Sequence, residues 1–191
     1  MSSAHEPLFR LIAGLGNPGR EYDETRHNAG FMIVDRLAQR AGVSFRIESK
    51  WESAIASAAG VILCKPQSYM NLSGVPIAAV SHFYKIEPAR TLAIFDDVAL
   101  PLGSIRIRPG GSSGGHNGMQ SILDHIGDIP RLRVGIGAAD GRPMVQHVLG
   151  KFQPEERLIL AEAMDRALAA VDYLQLNGID AAMNQFNHSP S

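Results

Sequence analysis

His27, His116, Asp96, Asn17, Asn71 and Asn117 stand in four polar segments: GLGNPGREYDETRHN (residues 14–28), KPQSYMNLSG (65–74), DDVALPLG (96–103) and RPGGSSGGHNG (108–118). An imidazole near a carboxylate is the equipment of general-base catalysis. The neutral ring takes a proton from water, the carboxylate orients the ring and stabilises the imidazolium, and amides bind a developing oxyanion. Such a set suits attack of water on an acyl carbon.

Other chemistries are poorly served. There is no serine in a G-x-S-x-G elbow and no H-E-x-x-H. The single cysteine, Cys64, lies in the apolar run VILCK and reads as a buried thiol. Gly14, Gly16 and Gly19 spell G-x-G-x-x-G after an apolar run. A dinucleotide site would start its helix inside the motif, yet Pro18 and a polar stretch intervene. The acid expected about 20 positions on would be Asp35, inside a helix rather than at a strand end. Of the seven histidines, His5 and His188 fall in tails, and His82, His125 and His147 in ordinary segments. Those five read as structural.

Each polar segment has a plainer reading by itself: turn glycines, a helix cap at Ser68 or Asn71, a solvated pair at Asp96 and Asp97, a flexible glycine loop. Their conjunction points to a site. Tyr69, Met70 and Asn71, side by side in a turn, read as a contact surface. Glycines around His116 and Asn117 precede a helix whose first N–H groups suit an anion. Arg106 and Arg108 share a strand face, as do Arg131 and Arg133. If those strands are neighbours, they form a basic patch of the kind that grips phosphate.

The elements that must hold these groups alternate. LFRLIAGL reads as a buried strand, and Phe31, Val34, Leu37, Ala38 and Ala41 as a helix closed by Gly42. SFRIES, SAIASAA, VILCK, TLAIFDD, SIRIR and RLRVGIG read as strands, and 75–84 and 119–126 as helices. Pro154, Glu155 and Glu156 open a long final helix with Leu160, Met164, Ala167, Leu168, Val171 and Leu174 on its apolar face. This is an α/β pattern with a largely parallel or mixed sheet, residues 8–188 making a single catalytic domain and residues 1–7 a flexible tail. Ligands gather at the carboxyl ends of strands in such sheets, which is where the polar segments fall.

At 191 residues, with 45% apolar and 19% charged side chains, the chain can bury an ordinary core. Eighteen basic against nineteen acidic residues give a net charge of −1, so a polyanion must be met by a local patch. One cysteine excludes an intrachain disulfide and fits a reducing compartment. No signal peptide or membrane span is legible, and the expectation is a cytoplasmic protein.

The blocks GLGNPGREYDETRHNAGF, KPQSYMNLSG, DDVALPLGSIRIR, GGSSGGHNG and RLRVGIG, in this order and spacing, resemble bacterial peptidyl-tRNA hydrolases over nearly the whole chain. The resemblance implies a single α/β domain with a twisted mixed sheet flanked by helices. It implies hydrolysis of the ester joining a peptide to the 3′ end of tRNA, by a monomer that needs no metal or cofactor. By position, His27 matches the catalytic histidine, Asp96 its carboxylate partner, and Asn17, Asn71 and Asn117 the asparagines that hold the peptide and the attacked carbonyl. Tyr22, Met70 and His116 match further cleft residues. Arg108 and Arg133 match the basic positions that clamp the tRNA 5′ phosphate beside the acceptor end. The chain departs from the family at Ala99, where a second acid is usual, and in AADGRP, which looks shorter and less basic. Two other readings stay open: a metal-dependent peptidase-type hydrolase using Asp96, Asp97, His27 and His116, and a non-catalytic nucleotide- or RNA-binding module.

Overall fold

The first apolar run folds as β1 (Leu11–Gly14), and α1 (Ala29–Arg40) follows after two 3₁₀ turns, Arg20–Tyr22 and Arg26–Asn28. The structure, a computed structural model, describes residues 6–188. Then come β2 (Arg46–Glu48), β3 (Ser53–Ala58), β4 (Val61–Pro66), α2 (Gly74–Phe83), β5 (Thr91–Asp97) and β6 (Ile105–Arg108). The chain ends with α3 (Asn117–His125), β7 (Arg131–Gly135), α4 (Met144–Val148) and α5 (Arg157–Phe186), the last broken at Gly178. Residues 1–5 of the expected tail lie outside the described residues. Glu6 and Pro7 do not hang free: the Arg90 guanidinium donates to the Glu6 carboxylate at 2.9 Å and to the Pro7 carbonyl at 2.5 Å.

The strands form one seven-stranded sheet in the order β2-β3-β4-β1-β5-β7-β6. The central β4, β1, β5 and β7 are parallel, and β2, β3 and β6 run antiparallel to their neighbours. Alternate residues of β1 and β5 enter two different cores. Ile12, Leu92 and Ile94 pack with α1 and α5, whereas Leu11, Ala13, Ala93 and Phe95 pack with α2 and α3. A sheet covered on both faces needs strands apolar at every position, which is why these runs do not alternate. All six residues of the expected apolar face of α5 are buried.

Helix α1 ends as its sequence implies. Gly42 takes the left-handed φ of +68°, and the Gly42 and Val43 N–H groups donate to the Gln39 and Ala38 carbonyls at 3.1 and 3.0 Å. The start of α1 matters more for the site. A Cβ on Gly14 would lie 2.3 Å from the Gly30 carbonyl oxygen, and one on Gly30 would lie 2.2 Å from the Ile94 oxygen. These two glycines let the first turn of α1 lie directly on β1 and β5. The turn just before it, with His27, is thereby set against the end of β5, with Asp96. Gly14 and Gly16 of the G-x-G-x-x-G stretch thus serve packing against α1, Gly19 makes a turn at a φ of +112°, and Asp35 sits on α1 paired with Lys65 at 2.6 Å.

Candidate active site

The carboxyl ends of three parallel strands converge on the polar segments. β1 leads to Asn17, β4 to the turn with Tyr69, Met70 and Asn71, and β5 ends in Asp96 and Asp97. β7 carries Arg131 as its first residue and Arg133 beside Phe95 of β5, and the N-terminus of α3 carries His116 and Asn117.

Asp96 is 2% exposed and lies between two imidazoles. His27 Nδ1 is 3.0 and 2.9 Å from its two oxygens, and His116 Nε2 is 2.9 Å from Oδ1. Tautomers follow from the partners. Met119 N–H donates to His116 Nδ1 at 3.1 Å, so His116 carries its proton on Nε2 and gives it to Asp96. His27 donates to Asp96 through Nδ1, which leaves its Nε2 with a lone pair. Both nitrogens of His116 are spoken for, so His27 is the ring equipped to act as base. Burial by itself would raise the Asp96 carboxyl. The charge and hydrogen bond of His116, and then those of His27, outweigh it and hold the group down at about 2 against an ordinary 3.8.

The asparagines are built differently from one another. The Asn17 N–H donates to Asn28 Oδ1 at 2.9 Å, and Asn28 Nδ2 donates back to the Asn17 carbonyl at 3.0 Å. Asn17 Oδ1 accepts the Met70 N–H at 2.7 Å. Its Nδ2 is left as a donor without a partner among the described residues. Asn71 and Asn117 are exposed, and their side chains are likewise unpartnered among the described residues. Asn28 was visible in the sequence only as one of a crowd of polar residues; its role is to clamp Asn17. Tyr69 is exposed and meets Tyr22 edge-on at 6.5 Å.

Met70 departs from the expected contact surface. It is 4% exposed, in the core shared with Met119 and Ile122. A Cβ on Gly118 would touch its sulfur at 2.5 Å. A thioether beside the first turn of α3 finds more favourable contact inward than in water. What Met70 brings to the site is its N–H, held by Asn17.

The arginines also divide. β6 and β7 are neighbours, with Arg106 opposite Arg133 and Arg108 opposite Arg131, as the shared-patch reading requires. Arg131, however, is 2% exposed. It pairs with Asp128 and donates to the Ser112 carbonyl at 2.9 Å, while Asp128 accepts the Gly111 N–H at 3.0 Å. Arg131 is therefore an anchor for the glycine-rich loop. Its burial lowers the guanidinium from its ordinary value, opposed by Asp128. Arg133 pairs with Asp97, and Arg108 is exposed. Arg108, Arg131 and Arg133 line a cavity of about 210 Å³ with the glycine loop and Phe95.

A cavity of about 240 Å³ lies at His27, Asp96, His116 and Asn117. It shares Phe95, Ser113 and Gly114 with the arginine-lined cavity, so the two adjoin along the glycine loop. Met144, Val145 and Val148 of α4 form an apolar wall that the sequence reading missed. The signal there was Pro143 followed by apolar residues at 144, 145 and 148, too short a run to declare itself. Buried His147 holds this segment through the Gly137 carbonyl, 2.9 Å from its Nε2. Arg26, the residue before His27, cinches the His27 turn to the chain before α5. Its guanidinium donates to the Lys151 carbonyl at 2.5 Å and to Glu156 at 2.6 Å, and lies over Phe152.

His27, Asp96 and His116 place potential ligand atoms within 4.8 Å of one another, the set a metal reading would use. The hydrogen bonding does not fit it. The imidazole nitrogens facing Asp96 carry protons where a metal needs lone pairs. Asp97, the fourth proposed ligand, is committed to Arg133 and to the Ala99 N–H, 2.8 Å from its Oδ1. Cys64 is buried against Ser53; burial pushes its thiol up to about 12, which makes it inert.

With this geometry in place, known proteins give a consistent comparison. A family profile described as peptidyl-tRNA hydrolase matches residues 11–191. A peptidyl-tRNA hydrolase of Akkermansia muciniphila is 47% identical over 184 residues, covering 95% of this chain and 97% of its own. One from Synechococcus sp. is 44% identical over 189 residues, covering 95% of this chain and 84% of its own. The crystal structure of peptidyl-tRNA hydrolase from Acinetobacter baumannii superposes with a TM-score of 0.89 at 40% identity, covering 96% of both chains.

Proposed function

Since the chain belongs to the peptidyl-tRNA hydrolase family and hydrolyses peptidyl-tRNA, we propose that His27 activates the attacking water and that Asp96 and three asparagines arrange the reaction around it. The observation that carries this reading is the occupancy of His27 Nδ1 by Asp96, which leaves Nε2 as the free base. Water gives a proton to Nε2 as its oxygen bonds to the ester carbon. The carbonyl becomes an oxyanion, and the imidazolium that forms is stabilised by Asp96 beneath it. The tetrahedral intermediate then collapses. The bond from carbon to the ribose 3′ oxygen breaks, that oxygen takes the proton from Nε2, and free tRNA and a peptide acid leave.

Asn17 Nδ2 is the donor assigned to the carbonyl, because the opposite end of the same amide is fixed by Met70 N–H. Asn71 and Asn117, with free amides, read the first peptide bond of the substrate, which a free amino group cannot imitate. Tyr22 and Tyr69 flank that end. His116 holds Asp96 in place. Arg108 and Arg133 take the tRNA 5′ phosphate, with the acceptor end crossing from their cavity to His27. The enzyme acts as a cytoplasmic monomer. Among the described residues no helix is long and apolar enough to cross a membrane.

The test is cleavage of N-acetyl-aminoacyl-tRNA and of free aminoacyl-tRNA by the wild type and His27→Ala. The variant is expected to lose about 10²–10⁴ in rate on the acetylated substrate. The wild type is expected to spare the free one. Near-normal turnover by the variant removes His27 as base, and equal wild-type rates on the two substrates remove the asparagine reading.

A further inference from the structure

A groove of about 550 Å³ lies where β2 and β4 end and β3 begins, away from the arginine-lined cavity on the β6–β7 side. Pro18, Ile47, Glu52, Ser68, Tyr69 and Leu72 are in its wall. Pro18 follows Asn17, and Ser68 and Tyr69 precede Met70, whose N–H Asn17 holds. The turns that carry Asn17 and Asn71 therefore also build this groove. Across the sheet the order is the arginine-lined cavity at β6–β7, imidazole and carboxylate at β5, Asn17 and Asn71 after β1 and β4, then this groove.

We propose that the groove holds the peptide part of the substrate upstream of the esterified residue, and that it favours apolar and basic side chains there. The inference rests on the catalytic reading above and extends it to peptide preference. A substrate with its nucleic-acid end at β6–β7 and its ester at His27 continues toward β4. Ile47 and Leu72 are 64% and 49% exposed, which leaves apolar surface uncovered beside a site whose substrate carries amino-acid side chains. Glu52 is the charged residue of the wall, so a basic side chain is attracted and an acidic one repelled.

Two further features suit a peptide. The Ser68 hydroxyl is shut off from solvent with no partner among the described residues, a state that costs free energy. Rotation about one bond trades it for a hydrogen bond to a peptide main chain. The floor is also firm. Glu52 holds a left-handed φ of +45°, and its carbonyl accepts the Gln67 N–H at 2.7 Å, tying the head of β3 to the turn after β4. A groove already shaped before binding loses little entropy when it is filled.

The experiment measures kcat/KM on four substrates: N-acetyl-leucyl-tRNA, and N-acetylated tetrapeptidyl-tRNAs whose three upstream residues are all Leu, all Lys or all Glu. Wild-type enzyme is expected to prefer the Leu and Lys peptides over the Glu peptide by about two- to five-fold, the range of exposed charge pairs. Glu52→Lys reverses the Lys–Glu order. The double variant Ile47→Ser, Leu72→Ser lowers cleavage of the Leu peptide by about three- to ten-fold, the effect of partial loss of apolar burial. Both variants leave N-acetyl-leucyl-tRNA unaffected. Equal rates on the three long substrates, unmoved by Glu52→Lys, overturn the groove and leave the catalytic reading standing. A wild-type enzyme idle on N-acetyl-leucyl-tRNA overturns both.

Discussion

Asp96→Asn isolates the feature on which the mechanism turns. The side chain keeps its shape but exchanges an acceptor-only group for one that is half donor. In the native site Oδ1 faces both imidazoles and Oδ2 faces His27, at 2.9 to 3.0 Å. An amide NH₂ at the Oδ2 position meets His27 Nδ1–H donor to donor. His27 relieves the clash by moving its proton to Nε2, which removes the lone pair proposed to take the proton from water. The charge is lost as well. The two imidazoles hold the Asp96 carboxyl down at about 2 against an ordinary 3.8 in spite of its burial, so the site is built around an anion that the amide does not supply. The imidazolium that forms as His27 takes its proton then lacks its counter-charge, and the wrong tautomer removes the general-base contribution, so kcat/KM is expected to fall by about 10²–10⁴. Because Asp96 is covered by the two rings, KM is expected to stay within about three-fold. Single-turnover cleavage of N-acetyl-aminoacyl-tRNA gives the rates. His27→Ala with Asp96→Asn should be about as slow as His27→Ala alone, since both changes disable one unit. A variant within five-fold of wild type, or additive losses in the double variant, refutes the reasoning. Stability gives an independent reading. A depressed carboxyl contributes stability above its ordinary value of 3.8 and loses it as pH falls through about 2. The wild type should lose urea resistance through that acid window more steeply than Asp96→Asn.

Three other outcomes are expected. Arg108→Ala with Arg133→Ala should weaken tRNA binding and flatten the slope of log K against log salt by about 1 for each phosphate that is no longer neutralised; an unchanged slope removes the phosphate site. Gly30→Ala puts a methyl group 2.2 Å from the Ile94 oxygen and 2.5 Å from Leu15 N, and should cost at least about 1–3 kcal/mol in thermal or urea unfolding. It should also lower activity, since α1 cannot shift without moving His27, and a variant as stable as wild type contradicts the packing argument. Cys64, with its thiol pushed up to about 12, should resist a thiol reagent at pH 8 in the native state and react on denaturation; rapid native labelling shows the site to be open.

Much of this protein is legible in its residues, because the forces concerned act over short spans of chain. Strands such as TLAIFDD follow from a short unbroken apolar run, and helices such as α1 from apolar periodicity and from Gly42 as a stop. The polar segments declare themselves by sitting where apolar runs end. The candidacy of His27, Asp96 and the asparagines, and the five blocks that resemble a family, need no coordinates. Met70 and Arg131 show where that reading runs out. A methionine in a polar turn and an arginine on a strand look exposed until α3 and the Ser112 segment are laid over them. The same arginine type two residues on, Arg133, remains at a cavity.

What required tertiary structure is the set of relations between distant residues. Asp96 and His27 are 69 positions apart, and the close approach of Gly14, Gly30 and Ile94 brings their elements together. The proton positions on His27 and His116 depend on partners supplied by β5 and by the first turn of α3, so the choice of base between two histidines is a property of packing. The wall made by α4 and the cinch made by Arg26 belong to the same class: each side chain is ordinary by type, and its role comes from what the folded chain places against it. Local periodicity is written in neighbouring residues, whereas hydrogen-bond partners and desolvation are set by whichever surfaces the sheet and its helices bring together.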